Sequence, residues 1–231
     1  MKNIVTSEWL FNRIDDPNVR IIDCRFDLME PDWGTEQYQA SHIQGAIYAH
    51  LEKDLSGTKQ KHGGRHPLPG IDELKATFES FGIDEHTTVV AYDNGEGMFA
   101  GRCWWLLSFL GHPHVYILDG GWENWKESDL PVSQEMPEVE EKTFLIQPQY
   151  DWLASLDEVK SASLKGEGAA VLMDSRAPDR YRGEVEPLDR IPGHIPGAVN
   201  YFFKEAFEGF HWKPIEKQKE RFSRLDSSRP V

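Results

Sequence analysis

The chain has 231 residues, a length that fits one large domain or two small ones. Its formal net charge of −14 leaves no basic face for a phosphate backbone, which excludes nucleic acid and anionic membranes as partners. The N-terminus lacks the apolar core of a signal peptide and no apolar run is long enough to cross a bilayer, so we expect a soluble, cytoplasmic protein.

The first half of the chain alternates short apolar strands with helices. Strands are predicted at 19–22, 88–92 and 115–118, and a helix at 71–81 ends before Gly82. Continuous apolar strands interleaved with helices indicate a parallel sheet that is covered on both faces. The sequence therefore predicts an α/β domain over residues 1–131.

The second half has the same kind of pattern but stops early. Residues 132–148 are rich in Glu, Pro and Gln and predict a linker, and a second domain occupies 149–231. It contains a predicted strand at 169–173 and a predicted helix at 214–225. The counterpart of strand 88–92 would begin at the last residues, so about 42 residues of a full copy are missing. We expect this half to borrow strands or to dimerise in order to complete its sheet.

Two sequence motifs occur once in each half. The first is Asp-x-Arg, and Asp174 follows Asp23 by 151 residues. The second is His-Ile-x-Gly-Ala, and His194 follows His42 by 152 residues. The nearly constant offset indicates two copies of one unit. Because the histidine is present in both copies, we expect it to form structural hydrogen bonds rather than to act as an acid or base.

These motifs, together with the Leu-Asp-Gly-Gly-Trp turn at 118–122, resemble the rhodanese homology domain. The resemblance covers residues 1–131 and the front of the second copy, and the tandem arrangement is similar to thiosulfate and 3-mercaptopyruvate sulfurtransferases. It implies an α/β protein of two rhodanese-like domains, each a parallel sheet flanked by helices, with the second incomplete. It also implies that the first domain is catalytically silent.

The resemblance implies a reaction at a cysteine in a strand–loop–helix turn of the second domain. Backbone N–H groups and the helix dipole lower the pKa of that thiol and hold a persulfide anion. The thiolate attacks the outer sulfur of thiosulfate or 3-mercaptopyruvate, and the persulfide passes sulfur to cyanide or a thiol. The expected partner is a small sulfur-containing anion, and no metal or organic cofactor is implied. The sequence does not distinguish the two donors.

The nucleophile is absent from this chain. In the first copy Asp93 occupies the equivalent position, where a carboxylate cannot accept sulfur but suits an amide-lined loop as a fixed anion. The cysteines of the chain are Cys24 and Cys103, and neither lies in a strand-to-helix loop. We expect both to be buried apolar residues, and the chain as given to be inactive.

Five further residues are candidates for binding or proton transfer. By resemblance Arg180 matches a substrate-binding arginine, since a guanidinium fork suits a carboxylate or a thiosulfonate. Arg182 or Arg190 would be a second anion contact, or equally a solvated loop arginine. Asp54 and His66 resemble first-domain residues that face the second domain's active site and assist proton transfer, and a polar interdomain loop is the equally weighted alternative.

Two other classes of function compete with the enzyme. A non-catalytic rhodanese-like module that binds a partner or a small anion is what the sequence permits literally, because no nucleophile is present. A related phosphatase would need a cysteine and an arginine around a phosphate loop, and the loop after Tyr92 has neither. The histidine pairs His62/His66 and His112/His114 lack a third metal ligand nearby.

Overall fold

The computed structural model describes residues 3–165, 170–226 and 228 of the chain. The chain divides into two compact units, Met1–Tyr150 and Asp151–Val231. Within the described ranges, no helix is long and apolar enough to cross a membrane. Each unit has its own sheet and helices.

The first unit alternates strands and helices along the chain. Its strands are β1 (Ile4–Val5), β2 (Val19–Asp23), β3 (His42–Ile43), β4 (Ala46–Tyr48), β5 (Thr88–Tyr92), β6 (Val115–Leu118) and β7 (Val132–Ser133). Its helices are α1 (Ser7–Phe11), α2 (Trp33–Ala40), α3 (Ile71–Ser80), α4 (Met98–Phe109) and α5 (Gly121–Glu127). The strands predicted at 88–92 and 115–118 coincide with β5 and β6, and the predicted helix at 71–81 corresponds to α3.

A parallel sheet forms the centre of the first unit. Its strand order is β1-β6-β5-β2-β4, and every neighbouring pair in it is parallel. The middle strand β5 is buried from Val89 to Tyr92, as expected for a strand that is covered on both faces. The predicted α/β class with a helix-flanked parallel sheet is therefore confirmed.

Local sequence explains why α3 begins and how it packs. The Glu73 carboxylate accepts a hydrogen bond from the N–H of Gly70 at 3.2 Å, which satisfies a donor just before the helix. Leu74 and Phe78 lie four residues apart on one face and are both buried. The helix is thus amphipathic and buries one apolar face.

The segment predicted as a linker, 132–148, lies within the first unit rather than between the units. Its first residues form β7, which pairs antiparallel with β3. Further along, Phe144 is fully buried, and the N–H of Gln147 donates to the carbonyl of Leu110 at 2.7 Å. A segment without hydrophobic periodicity can still pack through single apolar side chains and backbone hydrogen bonds, which the composition of 132–148 does not reveal.

The second unit has short elements. After a 3₁₀ turn at the boundary (Tyr150–Trp152), they are in chain order α6 (Leu156–Lys165), β8 (Met173–Asp174), α7 (Pro178–Arg182), β9 (Val199–Asn200), a 3₁₀ turn (Phe203–Ala206), β10 (Phe207–Glu208), β11 (His211–Trp212) and α8 (Ile215–Arg221). Strands β8 and β9 are parallel, and β10 and β11 form an antiparallel pair.

Two predictions for the second unit differ from the structure. The strand predicted at 169–173 is shorter and shifted, because β8 begins only at Met173, and Ala169 lies outside the described residues. The helix predicted at 214–225 ends at Arg221, where Phe222 forms the C-cap. The expected start of a strand after 226 falls on residues that are mostly outside the described part of the chain.

Candidate functional site

The loop between β5 and α4 holds a buried carboxylate. Oδ1 of Asp93 accepts hydrogen bonds from the N–H groups of Gly95 and Gly97 at 2.9 and 3.0 Å. Oδ2 accepts from the N–H groups of Phe99 and Ala100 at 3.0 and 3.2 Å. Burial raises the pKa of Asp93, and the four N–H groups oppose this shift because they favour the carboxylate. The loop is an anion site whose anion belongs to the chain itself.

Two glycines give this loop its shape. Gly97 precedes α4 with φ of 68°, in the left-handed region that favours glycine. Gly121 begins α5, and a Cβ on it would lie 2.4 Å from the carbonyl oxygen of Asp93. The N–H of the next residue, Trp122, donates to that same carbonyl at 2.8 Å. The turn after β6 therefore holds the end of β5 in place.

The two cysteines lie outside this loop. Cys24 directly follows β2, Cys103 lies within α4, and both are buried. Burial raises the pKa of the Cys24 thiol well above its usual value, and its interactions with the Cys103 thiol and with Asp93 act in the same direction. Cys24 is thus a protonated thiol near neutral pH, which agrees with the prediction that it is a small buried residue and not a nucleophile.

A cleft of about 520 Å³ lies beside the segment 50–70 of the first unit. Both first-domain residues singled out by the resemblance, Asp54 and His66, line it, so the structure brings these two side chains to one place. Lys59 and Arg65 line it as well and add positive charge. Three cations and three carboxylates line the cleft, so its formal charges balance, and Asp54 and His66 supply groups that can move a proton.

The two candidate residues of the cleft have shifted pKa values. The Asp54 carboxylate accepts a hydrogen bond from the N–H of His50 at 2.7 Å, but burial dominates and raises its pKa. Burial also lowers the pKa of His66, and the Glu52 carboxylate, 3.4 Å from its Nε2, opposes that shift. A lowered pKa favours the neutral imidazole near pH 7, which is the form that accepts a proton.

Sequence reasoning missed two residues of this region. The Arg102 guanidinium, on α4, donates to the carbonyls of Leu55, His66 and Pro67. The Ser56 hydroxyl lines the cleft, is almost fully buried, and has no hydrogen-bond partner among the described residues. The sequence pattern that could have indicated Arg102 is a basic residue within an otherwise apolar helix, next to Cys103. Nothing in the sequence around Ser56 distinguishes it from an ordinary loop serine.

In the second unit the predicted anion-binding arginines face carboxylates. Nη2 of Arg180 donates to Glu186 Oε1 at 2.7 Å and to Asp189 Oδ2 at 2.9 Å. Arg182 forms an exposed ion pair with Glu184, and Arg190 is exposed. The guanidinium of Arg180 is therefore already engaged by two carboxylates of its own unit.

The repeated histidines occupy matching positions in the two units. Nδ1 of His42 lies 2.6 Å from the carbonyl of Tyr38, and its ring stacks on that tyrosine at 3.9 Å between centroids. Nδ1 of His194 lies 2.7 Å from the carbonyl of Tyr181, and its ring stacks at 3.7 Å. These contacts agree with the predicted structural role. Across the described ranges, no group of three or more His, Cys, Asp or Glu side chains could hold a metal ion.

Comparison with known proteins supports one family. Residues 6–128 match the model of the rhodanese-like domain. A Pseudomonas aeruginosa protein named "Probable 3-mercaptopyruvate sulfurtransferase" is 39% identical over 99% of this chain and 81% of its own length. The 3-mercaptopyruvate sulfurtransferase of Escherichia coli K12 is 31% identical over 85% of this chain and 69% of its own length.

The fold is also found among solved structures. The crystal structure of SseA from Escherichia coli, described as a 3-mercaptopyruvate sulfotransferase of rhodanese fold, superposes with a TM-score of 0.87. It is 29% identical to this chain, and the match covers 99% of this chain and 86% of the other. The amide-lined loop after β5, the helix-flanked parallel sheet and these similarities together lead to one conclusion: the chain belongs to the rhodanese family, and its relatives are sulfurtransferases.

Proposed function

We propose that the protein is a sulfurtransferase that moves a sulfane sulfur from thiosulfate or 3-mercaptopyruvate to cyanide or a thiol acceptor. A cysteine thiolate attacks the outer sulfur of thiosulfate, and sulfite leaves, or it attacks the thiol sulfur of 3-mercaptopyruvate, and the enolate of pyruvate leaves. The persulfide then gives its outer sulfur to the acceptor. The observation that carries this proposal is the loop after β5, in which four N–H groups converge on one anionic side chain. The same arrangement around a thiolate would stabilise both the nucleophile and its persulfide.

The nucleophile, in this proposal, is supplied from outside these 231 residues, and the chain by itself does not turn over. Three facts support it: Asp93 fills the loop of the first unit, Cys24 is a buried protonated thiol, and Cys103 is fully buried within α4. The two buried free cysteines fit a reducing compartment, so we place the protein in the cytoplasm.

Asp54 and His66 are proposed to assist proton transfer at the sulfur-transfer site. They line one cleft, and burial holds His66 toward its neutral form while it raises the pKa of Asp54. Arg180 and Arg190 are proposed to attract the donor anion. Arg180 can do so only if the anion competes with Glu186 and Asp189 for its guanidinium.

The second unit is proposed to be completed by further strands or by a second copy of the chain. In the first unit β2 pairs with β4 on one side and with β5 on the other. In the second, β8 pairs with β9, and no strand in the described ranges pairs with its other edge. An unpaired edge of a parallel sheet favours association with another strand. A monomer in sedimentation that unfolds in one cooperative transition involving both units would contradict this proposal.

A non-catalytic binding module is the second candidate, and Asp93 in the loop favours it for the first unit taken alone. The experiment that separates the two is peptide mapping of the natural protein after incubation with thiosulfate or with 3-mercaptopyruvate, together with its intact mass. We expect a peptide heavier by one sulfur atom that contains a cysteine outside these 231 residues. A persulfide on Cys24 or Cys103 would overturn the assignment of the nucleophile, and no persulfide with either donor would favour the binding module.

A further inference from the structure

One arginine links the helix after the Asp93 loop to the segment that carries the two candidate residues of the cleft. Nε of Arg102 donates to the carbonyl of Leu55 at 2.8 Å. Its Nη2 donates to the carbonyls of His66 and Pro67 at 3.2 and 3.1 Å. One acceptor, Leu55, directly follows Asp54 in the chain, and another is the carbonyl of His66 itself. A single side chain therefore contacts both parts of the segment at once.

The acceptors belong to two stretches of a segment without regular secondary structure. Residues 50–70 contain no regular helix or strand between β4 and α3. The N–H of Gly57 donates to the carbonyl of Pro67 at 3.0 Å, so this carbonyl receives hydrogen bonds from both Gly57 and Arg102. A rigid helix that supplies a planar, multidentate donor can fix such a segment more firmly than its own local contacts.

The Arg102 guanidinium is partly removed from water, which disfavours its charged form. Burial lowers the pKa of Arg102, although an arginine remains charged at any physiological pH. Its donors point at backbone carbonyls, which could be satisfied by solvent if the segment were free to move. A partly desolvated charge that is used to hold a loop is typical of a residue that sets geometry.

We propose that Arg102 is a positioning residue, which clamps residues 55 and 66–67 and thereby sets the distance and orientation between Asp54 and His66. This inference rests on the proposed role of Asp54 and His66 in proton transfer. Arg102 itself does not line the cleft formed by those residues, so it acts through the backbone of the segment.

Electrostatics gives Arg102 a second effect on the same histidine. Burial is the largest cause of the lowered pKa of His66, Glu52 opposes it, and the positive charges of Arg102 and Arg65 lower it further. Removing the charge of Arg102 therefore raises the pKa of His66. Moving the imidazole toward solvent acts in the same direction, because it reduces the burial that disfavours the protonated form.

The test compares three variants of the full chain: Arg102→Gln, Arg102→Lys and, as a matched control, Arg20→Gln. Arg20 also donates from a partly buried guanidinium to a backbone carbonyl, that of Phe81, but it lies away from the cleft. The readouts are the His66 pKa from an NMR titration of its ring and the amide exchange rates of residues 52–69. Neither readout requires turnover. Sulfur transfer by the natural protein that is unchanged in Asp54→Asn and His66→Asn would refute the role of those two residues without touching this result.

We expect Arg102→Gln to raise the His66 pKa and to speed exchange of the segment about tenfold, as the loss of charged hydrogen bonds predicts. In Arg102→Lys, the retained charge should leave the His66 pKa nearer to its original value while the segment still loosens, since an ammonium cannot reach three carbonyls. The proposal is overturned if Arg102→Gln leaves both readouts unchanged. It is also overturned if exchange in β5 rises by the same factor, or if Arg20→Gln has the same effect.

Discussion

The two units contain the same Asp-x-Arg motif with nearly the same geometry. In the first, the N–H of Arg25 donates to Asp23 Oδ1 at 2.9 Å and its Nη2 donates to Oδ2 at 2.6 Å. In the second, Arg176 makes both contacts with Asp174 at 2.9 and 2.6 Å. In each unit Nη2 also reaches a backbone carbonyl just before the repeated histidine. The ion pair within the motif is thus built from local sequence, and the carbonyl before the repeated histidine adds a third contact.

The surroundings of the motif differ between the units. The Arg25 guanidinium lies over the ring of Trp122 at 4.3 Å, and the Tyr92 hydroxyl donates to Asp23 Oδ2 at 2.6 Å. The side chains of Arg25 and Asp23 are 2% and 0% exposed, whereas those of Arg176 and Asp174 are 28% and 13% exposed. Tyr92 and Trp122 come from β5 and α5. In the first unit, burial of the motif therefore depends on residues from β5 and α5, whereas the ion pair within the motif has the same geometry in both units.

We expect the largest difference in stability between the units when the arginine is removed from each motif. Arg25→Met leaves a fully buried Asp23 carboxylate without its partner and should destabilise the first unit by about 3–5 kcal/mol. Arg176→Met should cost about 1 kcal/mol, because water reaches Asp174. Hydrogen exchange followed by mass spectrometry, read separately for β2 and β8, measures both. Equal losses in the two units would break the comparison.

A smaller effect should follow from removal of the hydroxyl that only the first motif uses. Tyr92→Phe deletes the donor to Asp23 Oδ2 and the acceptor for the N–H of Ile43. Since both groups are buried, we expect a loss of about 1–3 kcal/mol in urea unfolding. Phe78→Leu, at a buried apolar position on α3, is a control for simple packing loss. A neutral Tyr92→Phe would show that the hydroxyl is dispensable.

The smallest effect concerns acid sensitivity in the second unit. The hydrogen bond from Arg180 lowers the pKa of Glu186 from 4.5 to about 2. A lowered carboxyl pKa contributes stability that is present above pH 4.5 and is lost as pH falls toward 2. Glu186→Gln should remove this part of the pH dependence, while the lowered pKa of Asp174 keeps another part. The measurement is hydrogen exchange of the α7 amides between pH 4.5 and about 2. If Glu186→Gln leaves the acid sensitivity of α7 unchanged, the ion pair between Arg180 and Glu186 does not stabilise this unit.

The sequence predicted the features that depend on periodicity and repetition. Apolar runs located β5 and β6, and the constant offset located both Asp-x-Arg motifs. It did not predict that 132–148 packs on the first unit, since that depends on Phe144 finding a buried position. Nor did it predict the clamp of Arg102, because hydrogen bonds from a helix to a distant irregular segment leave no periodic trace. Asp93 was found because its loop has a recognisable position, although its four donors became visible only in three dimensions.

The most direct test of the account is cyanide-dependent formation of thiocyanate by the purified 231-residue chain, with thiosulfate and with 3-mercaptopyruvate as donors. We expect no turnover above the reagent blank with either donor, because Asp93 occupies the loop of the first unit and the two cysteines are buried. Turnover by this chain that is lost in Cys24→Ser or Cys103→Ser would contradict it, and would place the nucleophile in the first unit.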